Sequence, residues 1–257
     1  MANGFASILD HFVQRVALRR WRRKANRAPV ISLSTLRQQR SSARMLRRQL
    51  NRVIHQADAR LTLPLIGSNS FQKPLGSDWA HRPELWREQL TRQGASAVES
   101  ATEFGAETKI FHDCNVSELT FRQIRNVREE DLAPFGTSLE VFSFDGSFLS
   151  LVVELPDNAT EGLTKRHLVR LEAIIELEKP LEIFARLNVK HGPNTEQVVR
   201  ELPLRDGRTM VEFDLAYTNL NEKRVERMWL DLIFEGPELN QIIIRDLALS
   251  RRPRAEL

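Results

Sequence analysis

The residues able to do chemistry in this chain are few and poorly clustered. Six histidines stand at positions 11, 55, 81, 112, 167 and 191. They form neither an HxH nor an HExxH pair, so a His-based metal site has no spacing support. His112-Asp113 is an HD pair, but it lacks the further His and Asp on helices that a metal-dependent phosphohydrolase needs. Cys114 is the single cysteine, which excludes an intrachain disulfide and a thiolate metal cage. The P-loop, the GxGxxG fingerprint and the GxSxG nucleophile elbow are all missing. Nucleotide and acyl-transfer enzymes thereby lose their usual entry points. The carboxylate pair of a glycosidase would have to come from outward strand positions such as Glu212, Asp214, Asp231 and Glu235, where a solvated face explains them equally well. Asp145 or Asp246 could serve a structural Ca²⁺ site, although no ligand loop is recognisable. The sequence thus assigns no catalytic residue, no metal and no cofactor.

Two other residue sets suggest binding. In the stretch 226–235, Met228, Leu230, Leu232 and Phe234 alternate with Trp229, Asp231 and Ile233. In 181–190 the polar phase holds Phe184, Arg186 and Asn188. Aromatic rings interleaved with Arg, Asn and Asp suit a sugar, giving a ring face for its C–H surface and planar groups for its hydroxyls. His191 and Asn194, in the turn that follows, would form the rim. The competing expectation is that Trp229 and Phe184 are covered by residues before 110. The second set is N-terminal. Phe5, Ile8, Leu9, Phe12, Val13 and Val16 form one helical stripe, followed by Arg19, Arg20, Trp21, Arg22, Arg23 and Lys24. An apolar stripe succeeded by cations, with an indole between them, is the pattern of an interfacial membrane anchor. Arginine-rich helices also neutralise nucleic-acid phosphates, but nothing here offers base readout. The same stripe would also serve to pack on a protein partner or on the rest of the chain.

The elements that must position these groups follow from periodicity. Residues 4–18 read as an amphipathic helix closed off by Pro29, and a second helix runs from about Ser34, its N-cap, to Ala59. Its seam of Leu36, Ala43, Leu46, Leu50, Val53 and Ala57 is too short for a coiled coil. Residues 62–108 read as an extended connector, rich in Pro, Gly and Ser, with one short helix near 83–92 that starts at Pro83. Trp79 and Trp86 are expected to anchor it. From 109 to 257 the period becomes two. Val169, Leu171, Ala173, Ile175 and Leu177 alternate with Arg170, Glu172, Ile174 and Glu176. About nine such strands, divided by turns such as Asp145-Gly146 and Gly192-Pro193, predict a mainly β protein. The expected fold is an antiparallel jelly-roll-like β-sandwich behind a basic α-helical arm of residues 1–61.

Composition agrees with a folded body. The chain has 257 residues, 41% of them hydrophobic, and a formal net charge of +4. That small figure hides a segregation. Residues 1–60 hold fourteen Lys/Arg against Asp10 and Asp58, a net +12, leaving 24 basic against 32 acidic residues, or −8, in the remainder. No apolar run reaches the length of about 18 residues that a membrane span needs, and the order of apolar stripe then cations is the reverse of a secretory signal. The expected location is cytoplasmic, peripheral at the inner membrane.

The run Phe142 to Pro156 (FSFDGSFLSLVVELP), the loop Asn188 to Gln197 (NVKHGPNTEQ) and the tail Met228 to Pro237 (MWLDLIFEGP) resemble an uncharacterised alphaproteobacterial family, a domain of unknown function. That resemblance spans residues 75–257 and implies no reaction. More loosely, the sandwich with its final strand Gln241 to Leu249 is similar to carbohydrate-binding jelly rolls. The resulting expectation is a non-enzymatic binding module with a glycan partner, tethered by its arm to an anionic surface, a membrane before nucleic acid. The alternative is a glycan-processing enzyme.

Overall fold

The computed structural model describes residues 3–61, 73–128, 130–204 and 207–254, with side chains in the first segment described for 15–53. The chain divides into two compact units, Met1–Asp58 and Ala59–Leu257.

The first unit is helical. Helix α1 (Asn3–Arg27) runs well past residue 18, because no breaker intervenes before Pro29 disfavours helical backbone at Ala28. Helix α2 (Leu33–Leu61) starts two residues earlier than expected. Its cap is Ser32 rather than Ser34, since the Ser32 hydroxyl accepts from the Thr35 amide at 3.4 Å. Packing within the unit is thin. Leu50 and Val53, expected on an apolar seam, are 52% and 66% exposed. Phe5, Ile8 and Phe12 lie on α1, but their side chains fall outside the described residues.

The second unit is a β-sandwich with thirteen strands among the described residues. They are β1 (Trp79–His81), β2 (Gly94–Ser96), β3 (Thr102–Phe104), β4 (Thr108–His112), β5 (Leu119–Arg125), β6 (Phe135–Val141), β7 (Leu149–Glu154), β8 (His167–Leu177), β9 (Ile183–His191), β10 (Asn194–Glu201), β11 (Arg208–Asp214), β12 (Val225–Phe234) and β13 (Asn240–Pro253), with helix α3 (Glu84–Arg87) after β1. Sheet A has the order β11-β8-β13-β6-β5-β2, with β1 added to β13, and sheet B the order β10-β9-β12-β7-β4-β3. All pairings are antiparallel, and the chain crosses repeatedly between sheets, as in a jelly roll. Both inner faces supply one core. Val169, Leu171, Ala173 and Ile175 of sheet A and Leu187, Val189, Leu230 and Leu232 of sheet B all lie in it.

Residues 79–104, expected as connector, are woven into this core. Trp86 is fully buried and its indole N–H donates to the Ile244 carbonyl at 3.0 Å. Trp79 donates to Asn158 Oδ1 at 3.0 Å. Arg82 is 2% exposed and makes a two-pronged ion pair with Asp246 of β13, Nε to Oδ1 and Nη2 to Oδ2, each 2.9 Å. Asp246 sits just past a bulge in β13, where the register shifts between Ile244 and Asp246. The bulge explains why the inward residues step from Ile242 and Ile244 to Leu247 and Leu249. The Asn126 side chain donates to the freed Arg245 carbonyl at 2.8 Å, and Gly136 lies so close to the bulge that a Cβ there would sit 2.9 Å from the Ile244 carbonyl oxygen. Strands of three residues such as β1 to β3 show no readable alternation, so sequence periodicity passes over them.

At the other end of β13, Arg251 donates to both oxygens of Asp78, at 3.0 and 3.1 Å. Burial works against the Asp78 carboxylate, but Arg251 and then His167 hold it below the usual carboxylate range. Replacing Arg82 by Met should leave the Asp246 carboxylate buried and unpaired, and destabilise the fold by roughly 3–5 kcal/mol. Denaturant midpoints check this. The double variant Arg82→Met/Asp246→Leu should recover a large part of the loss, since it removes the orphaned charge as well.

Candidate functional site

Trp229, Phe184, Arg186, Asn188 and Asp231, the residues expected to form a sugar platform, share the outer face of sheet B. The turn Gly192-Pro193 between β9 and β10 has glycine at its first central position, where φ is +58°. It fixes Asn194 opposite His191 and hence Gln197 opposite Asn188, Val199 opposite Arg186 and Glu201 opposite Phe184. Strand β12 lies on the other side of β9, setting Trp229 against Asn188, Asp231 against Arg186 and Ile233 against Phe184. Beyond β12, Glu154 and Val152 of β7 face Trp229 and Asp231. Three rows therefore cross the sheet: Gln197-Asn188-Trp229-Glu154, Val199-Arg186-Asp231-Val152 and Glu201-Phe184-Ile233-Ser150.

A continuous hydrogen-bond chain runs through the first two rows. Arg186 pairs with Asp231 Oδ2 through Nε at 2.8 Å and Nη2 at 2.6 Å. Asn188 Nδ2 donates to that same oxygen at 3.0 Å and to the Arg186 carbonyl at 3.1 Å. Gln197 Nε2 completes the chain by donating to Asn188 Oδ1 at 3.0 Å. Alternation predicts that Asn188 and Asp231 point outward, with a solvated face expected for the carboxylate. Instead they are buried, at 1% and 3% exposure, because the apolar and long side chains flanking them shield the middle of the sheet. Trp229 and Phe184 are half-buried, neither core nor free surface. The Arg227 guanidinium lies 4.6 Å above the Trp229 ring.

The proposed rim divides. Asn194 is exposed, but His191 has the inward parity of Leu187 and Val189 and is 4% exposed. Its Nδ1 accepts from the Asn221 amide at 3.2 Å, and its Nε2 stands 3.6 Å from Glu196. His191 therefore belongs to the end of the core rather than to a rim. Gln197 escaped the sequence reading, although the two-residue turn at Gly192-Pro193 carries the register that places it beside Asn188.

The carboxylates considered for catalysis are separated. Glu212 and Asp214 lie on β11 of sheet A, whereas Asp231 lies on β12 of sheet B, so they point out of opposite faces of the sandwich. Glu212 is held by Arg170 at 2.9 Å and Arg252 at 3.2 Å. Burial disfavours its charged form, and those two arginines outweigh that and lower its pKa. Asp246, considered for Ca²⁺, is taken up by Arg82, and no cluster of three metal-ligating side chains occurs among the described residues.

A family model for a family of unknown function, DUF6478, matches residues 1–257. The chain belongs to that family. No curated protein matches it. Among solved structures, the family 11 carbohydrate-binding module of the cellulosomal cellulase Lic26A-Cel5E of Clostridium thermocellum is similar at 13% identity and a TM-score of 0.39, over 62% of this chain and 94% of that one. A family 11 module from the same organism, in complex with a mixed-linked tetrasaccharide, matches at 10% identity and a TM-score of 0.36, over 64% and 97%. The enzymatically active domain of tailspike protein 4 from bacteriophage CBA120 matches at 9% and 0.39. That match covers 60% of this chain, which spans only 21% of the tailspike.

Arg186 is the half-buried member of the hydrogen-bond chain that carries the charge opposite Asp231. The Arg186→Met variant should lower stability by about 1–3 kcal/mol, because Asp231 keeps its buried charge with only Asn188 to satisfy it. Thermal unfolding of Arg186→Met beside Arg227→Met, which touches only the indole, checks this. The second should cost about 1 kcal/mol or less.

Proposed function

We propose that the chain is a non-catalytic binding protein, in which the outer face of sheet B takes a carbohydrate and the basic arm holds the sandwich against an anionic membrane surface on the cytoplasmic side. The observation that carries the carbohydrate part is the row of polar groups fixed between two half-buried rings. Gln197, Asn188, Asp231 and Arg186 are locked in one hydrogen-bond chain between Trp229 and Phe184. Groups already held in place lose little freedom on binding, so polar contacts to hydroxyls cost less to form. The Arg186 side chain is 36% exposed and has donors left for a ligand. Trp229 supplies the apolar surface beside it.

The arm supports the second part by composition and exposure. Thirteen Lys/Arg occupy positions 15–52, and no Asp or Glu occurs from 11 to 57. At about 1 kcal/mol per cation near an anionic leaflet, the five cations Arg19, Arg20, Arg22, Arg23 and Lys24 give only a dissociation constant on the order of 10⁻⁴ M. Apolar insertion must supplement charge, and Val16 and Leu18 are 48% and 70% exposed on the same helix. No helix among the described residues is long and apolar enough to cross a membrane.

Trp229→Ala should abolish glycan-array binding while the protein keeps its fold by circular dichroism. Equal binding by variant and parent removes this face from consideration. Independently, deletion of residues 2–27 should abolish co-flotation with anionic liposomes, and unchanged flotation would refute the tether.

A further inference from the structure

The arm contains more than diffuse positive charge. Arg20, Arg23 and Arg27 succeed one another at spacings of three and four on one face of α1, with Arg19 and Lys24 beside them. All five border a cleft of about 670 Å³ between α1 and the start of α2. The α2 wall offers Thr35 and Gln39, which are polar and uncharged, and no carboxylate is near in sequence to neutralise the cluster. Cations this close on one helix face repel one another, and an anion in the cleft would relieve that repulsion.

We propose that this cleft is a binding site for the paired phosphate groups of a diphosphorylated lipid headgroup, a specificity that rests on the membrane reading of the arm. From Arg20 to Arg27 the helix advances about 10 Å, enough to set two phosphates side by side. Guanidinium groups take phosphate through two parallel N–H donors, which fits three arginines and two phosphates better than a single monoester. Lipid is favoured over a free diphosphate by the apolar surroundings. Val16 and Ile31 line the cleft itself. Val30 and Leu33, in and after the turn joining the helices, are 84% and 71% exposed. Acyl chains would cover these side chains while the headgroup occupies the cleft.

The test uses the full chain and neutral phosphatidylcholine vesicles doped with either cardiolipin or phosphatidylglycerol at equal total charge. The parent should bind the cardiolipin vesicles roughly tenfold more tightly, a difference of about 1.4 kcal/mol. Arg20→Gln/Arg23→Gln/Arg27→Gln should erase that preference. Arg40→Gln/Arg44→Gln/Arg48→Gln removes the same charge from α2 outside the cleft, and should weaken binding to both vesicles while preserving the preference. Equal affinity of the parent for both vesicles, or loss of preference in both triple variants, overturns the site but leaves the membrane tether standing. Failure of the parent to bind either vesicle overturns both. Binding of inorganic pyrophosphate as tightly as cardiolipin vesicles, with displacement of the protein from them, would make the ligand a free diphosphate and overturn the lipid assignment.

Discussion

A carboxylate buried at 8% side-chain exposure cannot remain charged without a partner, and Asp246 finds its partner 164 residues away in sequence. The Arg82 guanidinium that meets it arrives on the short segment containing β1 and α3. That segment must therefore dock before the bulge in β13 is electrostatically complete. Strand β13 is also the member of sheet A with three neighbours, β1, β6 and β8. The pair consequently ties the entry of the sandwich to its central strand. Trp86 reinforces the same junction by donating to the carbonyl of Ile244, two residues before Asp246.

The outer face of sheet B repeats the same physics in a milder form. Asp231 is shielded by the row of side chains around it, Arg186 and Asn188 donate to it, and Gln197 in turn donates to Asn188. A polar chain of this kind is worth having only if every member is paired, because each unpaired atom in a low-dielectric setting carries its full desolvation cost. The result is a surface whose donors are fixed in place by neighbouring side chains. The half-buried rings of Trp229 and Phe184 flank it, joined to the chain by strand register rather than by direct polar contact.

The two units differ in how they treat charge. In the sandwich, arginines are consumed internally. Arg170 and Arg252 converge on Glu212, Arg245 and Arg128 on Glu176, and Arg251 on Asp78. Burial pushes the Glu176 carboxyl up, and Arg245 and Arg128 bring it below its ordinary range. The arm has no carboxylates from 11 to 57 with which to do the same. Its cations and its exposed Leu18, Val30, Leu50 and Val53 are both unspent by the helical unit itself, and that coincidence underlies the reading of the arm as an attachment device.

The sequence by itself determined what depends on local period and composition. Alternation in 168–178 and 181–190 dictated antiparallel strands with Val169, Leu171, Leu187 and Val189 inward, and the count of basic residues dictated a cationic helical arm. It also brought Trp229, Phe184, Arg186, Asn188 and Asp231 onto one face, since parity within a strand is a local property. Tertiary structure alone decided what depends on neighbours in space. Strands β1 to β3 are too short to show a period and exist because sheet edges pair with them. The burial of Asn188 and Asp231 follows from shielding across three strands, and His191 fell on the core side because its parity is that of Leu187 and Val189 at the end of β9. The partner of Asp246 is set by long-range packing. A local pattern records which way a side chain points, but only the assembled sheets decide what meets it there.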